Sequence, residues 1–547
     1  MVRRALRRLE ALRLETRAGP EIAGLIRTLS RRRLPDAEAL LQFHELGLWF
    51  LAYPNTTAVH RAARQALDQF ARRPELARHR EVLADTGLVG TPIHYRFYWP
   101  LARWLAEVWP ERLHLDWEAD LDDTALARWL PRLVPPAERA AVAADPRAPR
   151  ALLPVLAQPR TDAAFLIEAL ARASSEERMV EWLHDDFDHP YRLEPAADRP
   201  ARTLGRWPVK RVVLRKRAWS KERPDLRAEL AQPPAPPKPL SLAAASALIT
   251  LAKEAMVTRS RDLEVFGFGN PKDAAWIQDE EGLAFGAIGF LPQKRLPYQG
   301  TYGLVTLQNG VPIGYVQLDG LLGHVEVSFN TFETFRGGES ARIFARTLAA
   351  AQALFGAKSF SIEPYQLGDH NDEAIDSGAW WFYQKLGFRP ADRRTSTLMN
   401  KELAKMRARP EYRSSPRILR ALAQRHLYFS IDPQQAPLPM RFDRLSARAS
   451  AWLIRRGGSR ADAEAEAVAQ LRRLTRDDRP LRPLELEVFR RFAPLLLSVP
   501  DFARWSPAER AQVPAILRAK AGGRERDYVK AFDGHPRLSH TFRELLH

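Results

Sequence analysis

Ala379-Trp380-Trp381-Phe382-Tyr383-Gln384-Lys385-Leu386-Gly387-Phe388 reads as a short amphipathic helix stopped by a glycine, with a tyrosine near its end. One helix and one strand upstream lies Phe335-Arg336-Gly337-Gly338-Glu339-Ser340-Ala341, a strand-to-helix turn with paired glycines and an arginine. Backbone amides in such a turn approach a phosphate closely. Between the two stretches, Phe344, Leu348, Ala351 and Phe355 recur on one helical face that Gly356 closes, and Phe360 to Leu367 reads as a strand.

Working upstream, His324 to Phe332 alternates Val325, Val327 and Phe329 against Glu326, Ser328 and Asn330, the period of a strand. Before it, Thr301 to Leu307 and Pro312 to Leu318 flank Asn309-Gly310, a strong hairpin signal because both residues tolerate positive φ. A helix over Ser241 to Met256 precedes these strands. Residues 241–400 therefore predict an α+β domain, a mixed sheet with flanking helices.

The rest of the chain reads as helical. Residues 1–200 carry apolar runs at helical spacing around 39–51, 59–70, 98–108, 124–133 and 162–171, with Pro54-Asn55-Thr56 supplying a break and an N-cap. Residues 201–240 form a basic, proline-rich connector. In it, Val209 to Arg217 suggests a basic strand, and Pro233 to Pro239 is stiff because proline fixes φ and removes a donor. Residues 401–547 are again helical and basic, so both terminal regions are expected to be all-α.

The 547 residues contain no cysteine, which excludes disulfides, thiolate nucleophiles and Cys-ligated zinc. No apolar run approaches bilayer length and no signal-peptide core follows the basic N-terminus, so a soluble, cytoplasmic protein is expected. The net charge of +18 makes nucleic acid a conceivable partner, with solvated arginine-rich helix faces the preferred explanation. Neither His184 to His189 nor Asp369 to Glu373 has a recognised ligand spacing, and no metal is expected.

The Tyr383 stretch, taken with the Arg336 turn, resembles the acyl-coenzyme A core of the GNAT superfamily of N-acetyltransferases. The resemblance covers only the central region and implies a GNAT-like fold there. It implies acetyl-coenzyme A, or another acyl-coenzyme A, as co-substrate and an amine of unidentified structure as acceptor. Tyr383 takes the place of the family's general acid, and Glu326 that of a base for the amine. Arg336, Gly337, Gly338, Ser340 and Ala341 would cradle the pyrophosphate. Asn330, Thr331 and Phe332 would offer backbone donors to the thioester carbonyl, and Asp376 stands where the family often has asparagine. Glu339 departs from the pattern by replacing its middle glycine; it would repel a phosphate unless it points outward or pairs with Arg342. Alternatives are a GNAT-fold binding protein without catalysis, or a nucleic-acid-associated protein using the basic surface.

Overall fold

The computed structural model describes residues 1–119, 124–144, 148–220 and 222–546. The chain forms two compact units, one of Met1–Ala218, Ser246–Phe268 and Leu307–Pro312, the other of Trp219–Ala245, Gly269–Thr306 and Ile313–His547. Among the described residues no helix is long and apolar enough to cross a membrane.

The first unit is mainly helical, and its helices begin where side-chain caps are available. Asp36 accepts from the Ala39 amide ahead of Ala37–Ala52, and Thr56 from the Val59 amide ahead of Thr57–Asp68. The expectation of an all-α N-terminal region is corrected by a small antiparallel sheet of β1 (Ile93–Tyr95), β2 (Leu113–Leu115) and β3 (Tyr191–Leu193), in the order β1-β3-β2. Three-residue strands are too short to display alternation. The basic strand expected over 209–217 does not form. Val213 instead exchanges both backbone hydrogen bonds with the side-chain amide of Asn309, at 2.8 and 3.0 Å, so one side chain stands in for a neighbouring strand.

The second unit is α+β, built on a nine-stranded mixed sheet. Its strands are β4 (Lys238–Pro239), β5 (Gly269–Gln278), β6 (Leu283–Phe290), β7 (Gly300–Gln308), β8 (Val311–Leu321), β9 (His324–Thr331), β10 (Ser359–Ile362), β11 (Arg389–Pro390) and β12 (Leu427–Ser430). Spatial order follows chain order from β4 to β10; β12 then lies between β10 and β11. The β7–β8 turn has Asn309 at φ 47° and Gly310 at φ 80°, as a two-residue hairpin demands. Pro239 sits on the edge strand, where its missing donor costs no ladder bond.

β12 corrects the expectation of an all-α C-terminal region. Leu427 and Phe429 are buried while Tyr428 and Ser430 are half-buried, a strand pattern only four residues long. Helices dominate the remainder of that region, from Phe442–Arg456 to Pro536–Leu546.

The Ser340–Phe355 helix packs on one sheet face, with Phe344, Leu348 and Ala351 fully buried. The Phe344 ring meets Phe329 of β9 at 5.2 Å. At the far end, a Cβ on Gly320 of β8 would come within 2.8 Å of the Phe355 ring, so only glycine permits this approach. Arg346, on the same helix, donates to the Glu229 and Gln232 carbonyls and pairs with Asp279, which fastens the segment before β4 to the domain.

Candidate active site

β9 and β10 run parallel, and they part. Ser359, Phe360 and Ser361 register with His324, Val325 and Glu326. β10 then ends at Ile362, because Pro364 starts the short helix Pro364–Leu367. β9 continues to Thr331 along β8 alone, with Val327 opposite Leu318 and Ser328 opposite Gln317. A notch opens in the sheet beyond Glu326, and Ser328 Oγ reaches across its mouth to donate to Glu363 Oε1 at 3.2 Å.

Strand alternation places different chemistry on the two sides of this notch. On the helix side, Tyr383 is 3% exposed, and its ring packs against Phe344, Phe382 and Phe388 at centroid distances of 5.2, 5.1 and 6.1 Å. Its hydroxyl has no hydrogen-bond partner among the described residues. Burial pushes the phenol well above its ordinary range, and the negative charge of nearby Glu363 adds to the shift. Tyr383 is thus held protonated at neutral pH.

On the opposite side, Glu326 lies 3.0 Å from His426 Nε2, and Ser361 Oγ lies 3.4 Å from its Oε2. Asp319 of β8 registers directly with Glu326 and accepts from Thr301 Oγ1 at 2.5 Å and Gln317 Nε2 at 2.9 Å. Burial raises the Asp319 carboxyl to about 6, with the charges of Glu326 and Glu363 contributing. Glu363 is likewise raised, first by burial and then by Glu326. Tyr383 and Glu326 therefore lie on opposite faces of the sheet near the point where β9 and β10 part. Of the other groups that flank Glu326 in sequence, Glu333 is exposed in the turn Glu333–Phe335.

His324 is buried, with both ring nitrogens 2.9 Å from the Ser359 and Ser361 hydroxyls. Burial lowers its pKa to about 3. An unfolded imidazole takes up its proton below about pH 6.5, so between the two values the unfolded state binds more protons and stability drops as the pH is lowered. Between pH 6.5 and 5 this one residue is expected to remove about 2 kcal/mol. Urea unfolding at pH 7 and pH 5 checks it: His324→Gln should show a smaller acid loss by that amount.

The turn after β9 is not a cradle with a free cation. Arg336 donates from Nε to Thr331 O at 3.0 Å and pairs with Glu373 at 2.6 Å. Gly337 takes φ 78° with open space around it, and Gly338 follows, half-buried. Ser340 and Ala341 begin the helix, with Glu339 at its N-cap. The Glu339 carboxylate is buried and 3.7 Å from Arg342, the pairing that offsets its charge. Asn330 is half-buried on the Glu326 side of β9, and Thr331 is buried at its end. The Phe332 amide already donates to Ile313 O at 2.9 Å, which removes it as a donor to the thioester carbonyl and corrects that expectation.

A cavity of about 960 Å³ adjoins this turn. Ala341, Asp376, Trp381 and Phe382 line it, together with Arg223, Lys385, Arg407 and Arg413. None of these four cations pairs with a carboxylate among the described residues. Burial lowers the Lys385 pKa, and repulsion from Arg223 and Arg413 lowers it further. A ligand with several negative charges would relieve that repulsion.

The chain brings Tyr383 and Glu326 to the two sides of the notch, and Ala341 and Asp376 to the cavity. It sets Arg336 aside in an ion pair. Sequence reasoning missed Asp319, Glu363, His426 and the cavity arginines, which come from separate strands and loops with no shared motif. Among the described residues no group of three or more His, Asp or Glu is placed to hold a metal ion; Asp372 and Glu373 pair instead with Arg420 and Arg336. Compared with protein-family models, with curated proteins and with solved structures, the chain finds no match.

Proposed function

We propose that this protein is an acyl-coenzyme A-dependent N-acyltransferase with a GNAT-like central region, probed most directly with acetyl-coenzyme A. The observation that carries the reading is the parting of β9 from β10, with the Tyr383 phenol on one side and the Glu326 carboxylate on the other. A thioester lying in the notch would meet its acceptor from the Glu326 side and lose its thiolate toward Tyr383. Insertion of β12 between β10 and β11 also agrees with a GNAT-like order.

The chemistry is a direct transfer. An ordinary alkylamine has a pKa near 10.4, so freeing its lone pair at pH 7 costs about 4–5 kcal/mol. Glu326, backed by His426, takes that proton. The nitrogen attacks the thioester carbonyl, a C–N bond forms, the C–S bond breaks, and Tyr383 protonates the departing thiolate. The attacking nitrogen gives up its second proton as the adduct collapses, which by way of solvent restores the Tyr383 phenol; Glu326 returns its proton to solvent, and the amide and free coenzyme A leave. The cations of the cavity would hold the phosphorylated end of the coenzyme, in place of an Arg336 already occupied by Glu373.

Titration calorimetry with acetyl-coenzyme A tests the reading. Saturable heat is expected, and none at millimolar ligand overturns it. Lys385→Glu is expected to weaken binding about tenfold, and the wild-type affinity should fall as salt rises. A GNAT-fold binder without catalysis is the second reading, favoured by the Arg336–Glu373 pair and the buried Glu339. Binding without turnover toward any amine supports it.

A further inference from the structure

The first unit holds a cavity of about 470 Å³ whose lining includes Arg31, Arg32, Arg33, Arg72, Arg73 and Glu75. The arginines come from two separate stretches of chain. Arg31 ends the helix Gly19–Arg31 and Arg32 and Arg33 follow it, whereas Arg72 closes the turn Phe70–Arg72 and Arg73 leads into the helix Pro74–His79. Arg73 is the fixed member. Its side chain is 9% exposed, and its guanidinium lies 5.1 Å from the Phe43 ring centroid and 5.6 Å from that of Phe70. It donates to the carbonyls of Leu29, Ser30 and Arg32 at 2.7, 3.2 and 3.3 Å. A helix leaves its last carbonyls unpaired, so Arg73 caps Gly19–Arg31 and also sets the backbone that carries the arginine run.

The other four arginines are not balanced by acid. Glu75 is the only carboxylate in the cavity lining; it is 3% exposed, accepts from the Leu34 amide at 2.7 Å and lies 3.6 Å from Arg73. Its charge is therefore taken up by Arg73. Arg31, Arg32, Arg33 and Arg72 are exposed, with no carboxylate partner among the described residues. On the adjoining helices, by contrast, Arg3, Arg8 and Arg64 pair with Asp36, Glu21 and Asp68. Four like charges around one hollow repel each other, and a polyanion would remove that repulsion. Guanidinium forks also match phosphate oxygens two at a time.

Three further features separate the polyanions that could bind. Single-strand binders hold bases on exposed aromatic faces, and no aromatic ring lines this cavity; Phe43 and Phe70 are buried. Small ligands are mostly enclosed by the groups that recognise them, whereas these four guanidiniums stand at the surface. Arg27 lies one turn before Arg31 on the same helix and is likewise exposed without a carboxylate partner among the described residues, so the row of cations continues past the cavity. We infer that this cavity and its rim bind the phosphate backbone of a double-stranded nucleic acid without reading its sequence. Phosphate contacts position a duplex but carry no base information. The inference is independent of acyl transfer, and neither reading needs the other.

Fluorescence anisotropy of the full chain with labelled DNA and RNA duplexes of about two helical turns tests the inference. Binding at low salt is expected, with log K falling against log salt at a slope of about −3 to −4, the counterion release of four phosphate contacts. Arg32→Gln and Arg72→Gln, one from each stretch, should each weaken binding about three- to tenfold and reduce the slope by about one. Both side chains are exposed, so the melting temperature should stay at the wild-type value. Arg490→Gln is the control, an exposed arginine of the second unit with no carboxylate partner among the described residues, and it should leave binding unchanged. A duplex of shuffled sequence should bind equally well, and a single strand of the same length more weakly. Binding of either duplex with these losses supports the inference, and the tighter of the two identifies the backbone preferred. It is overturned if neither duplex binds, if affinity is insensitive to salt, or if Arg490→Gln loses as much as the cavity variants. Tighter binding of the single strand, or of inorganic tripolyphosphate, overturns it as well.

Discussion

Tyr383→Phe is expected to lower kcat for acyl transfer about 10²–10³-fold while leaving the affinity for acetyl-coenzyme A and the melting temperature close to wild type. The rate loss follows from removing a positioned general acid, since protonation of a leaving group in the transition state contributes about 10²–10⁴-fold. The unchanged stability follows from the packing. The ring keeps its contacts with Phe344, Phe382 and Phe388, and the lost hydroxyl makes no hydrogen bond among the described residues. Removing a hydroxyl that has no protein partner costs the folded state little. Burial and Glu363 both hold the phenol above its ordinary range, so activity should not fall on the alkaline side near pH 10 through loss of this proton. Steady-state kinetics, calorimetry and thermal melting together separate the outcomes. A kcat within twofold of wild type removes Tyr383 from the chemistry, whereas a matching loss of coenzyme affinity assigns it to binding instead.

The elements legible in sequence are those whose pattern is local and long enough to repeat. Asn309-Gly310 declares its turn because both residues must adopt positive φ, and β9 declares itself through alternation along eight residues. Gly356 ends its helix in the left-handed conformation, and Gly378 and Gly387 bracket the tyrosine-bearing helix Ala379–Lys385 in the same way. β1, β2, β3 and β12, of three or four residues each, stay hidden because they owe their existence to tertiary pairing rather than to a period. The stretch over 209–217 misleads for the opposite reason: it has strand composition, but Val213 bonds the Asn309 side chain and the Arg215 amide donates to Pro54 O. At the site, Tyr383 and Glu326 are visible through a motif and a strand face. Asp319, Glu363 and His426 are not, since they come near Glu326 only when β8 and β10 flank β9 and β12 joins β10. Charge behaves similarly: a net +18 gives no hint that its sheet carries an acidic trough.

Arg295→Met is expected to destabilise the second unit by about 3–5 kcal/mol, the cost of stranding a buried ion pair. Asp273, Arg295, Lys520 and Glu525 form a charge-balanced cluster with side chains no more than 3% exposed. Arg295 donates to the Lys520 carbonyl at 2.7 Å, and Lys520 donates to Gln299 O at 2.6 Å and to Glu525 at 3.1 Å. Asp273 accepts from the Tyr302 hydroxyl at 2.5 Å and the Glu525 amide at 2.8 Å. These bonds tie the helices Pro507–Gly522 and Glu525–Asp533 to β5 and β7. Burial already raises the carboxyls of Asp273 and Glu525, and Arg295 opposes that shift in both. Without the arginine their folded-state pKa values rise further above the unfolded ones. The folded variant then takes up a proton more readily as pH falls, so its deficit against wild type should shrink from pH 8 to pH 5. Neutralising one stranded carboxylate should do the same at constant pH, and Arg295→Met with Glu525→Gln is expected to recover more than half of the loss. Urea unfolding of the three proteins measures these differences. A single-variant loss below about 1 kcal/mol, or a double variant weaker than the single one, would show that the cluster is solvated and contributes little to holding these helices on the sheet.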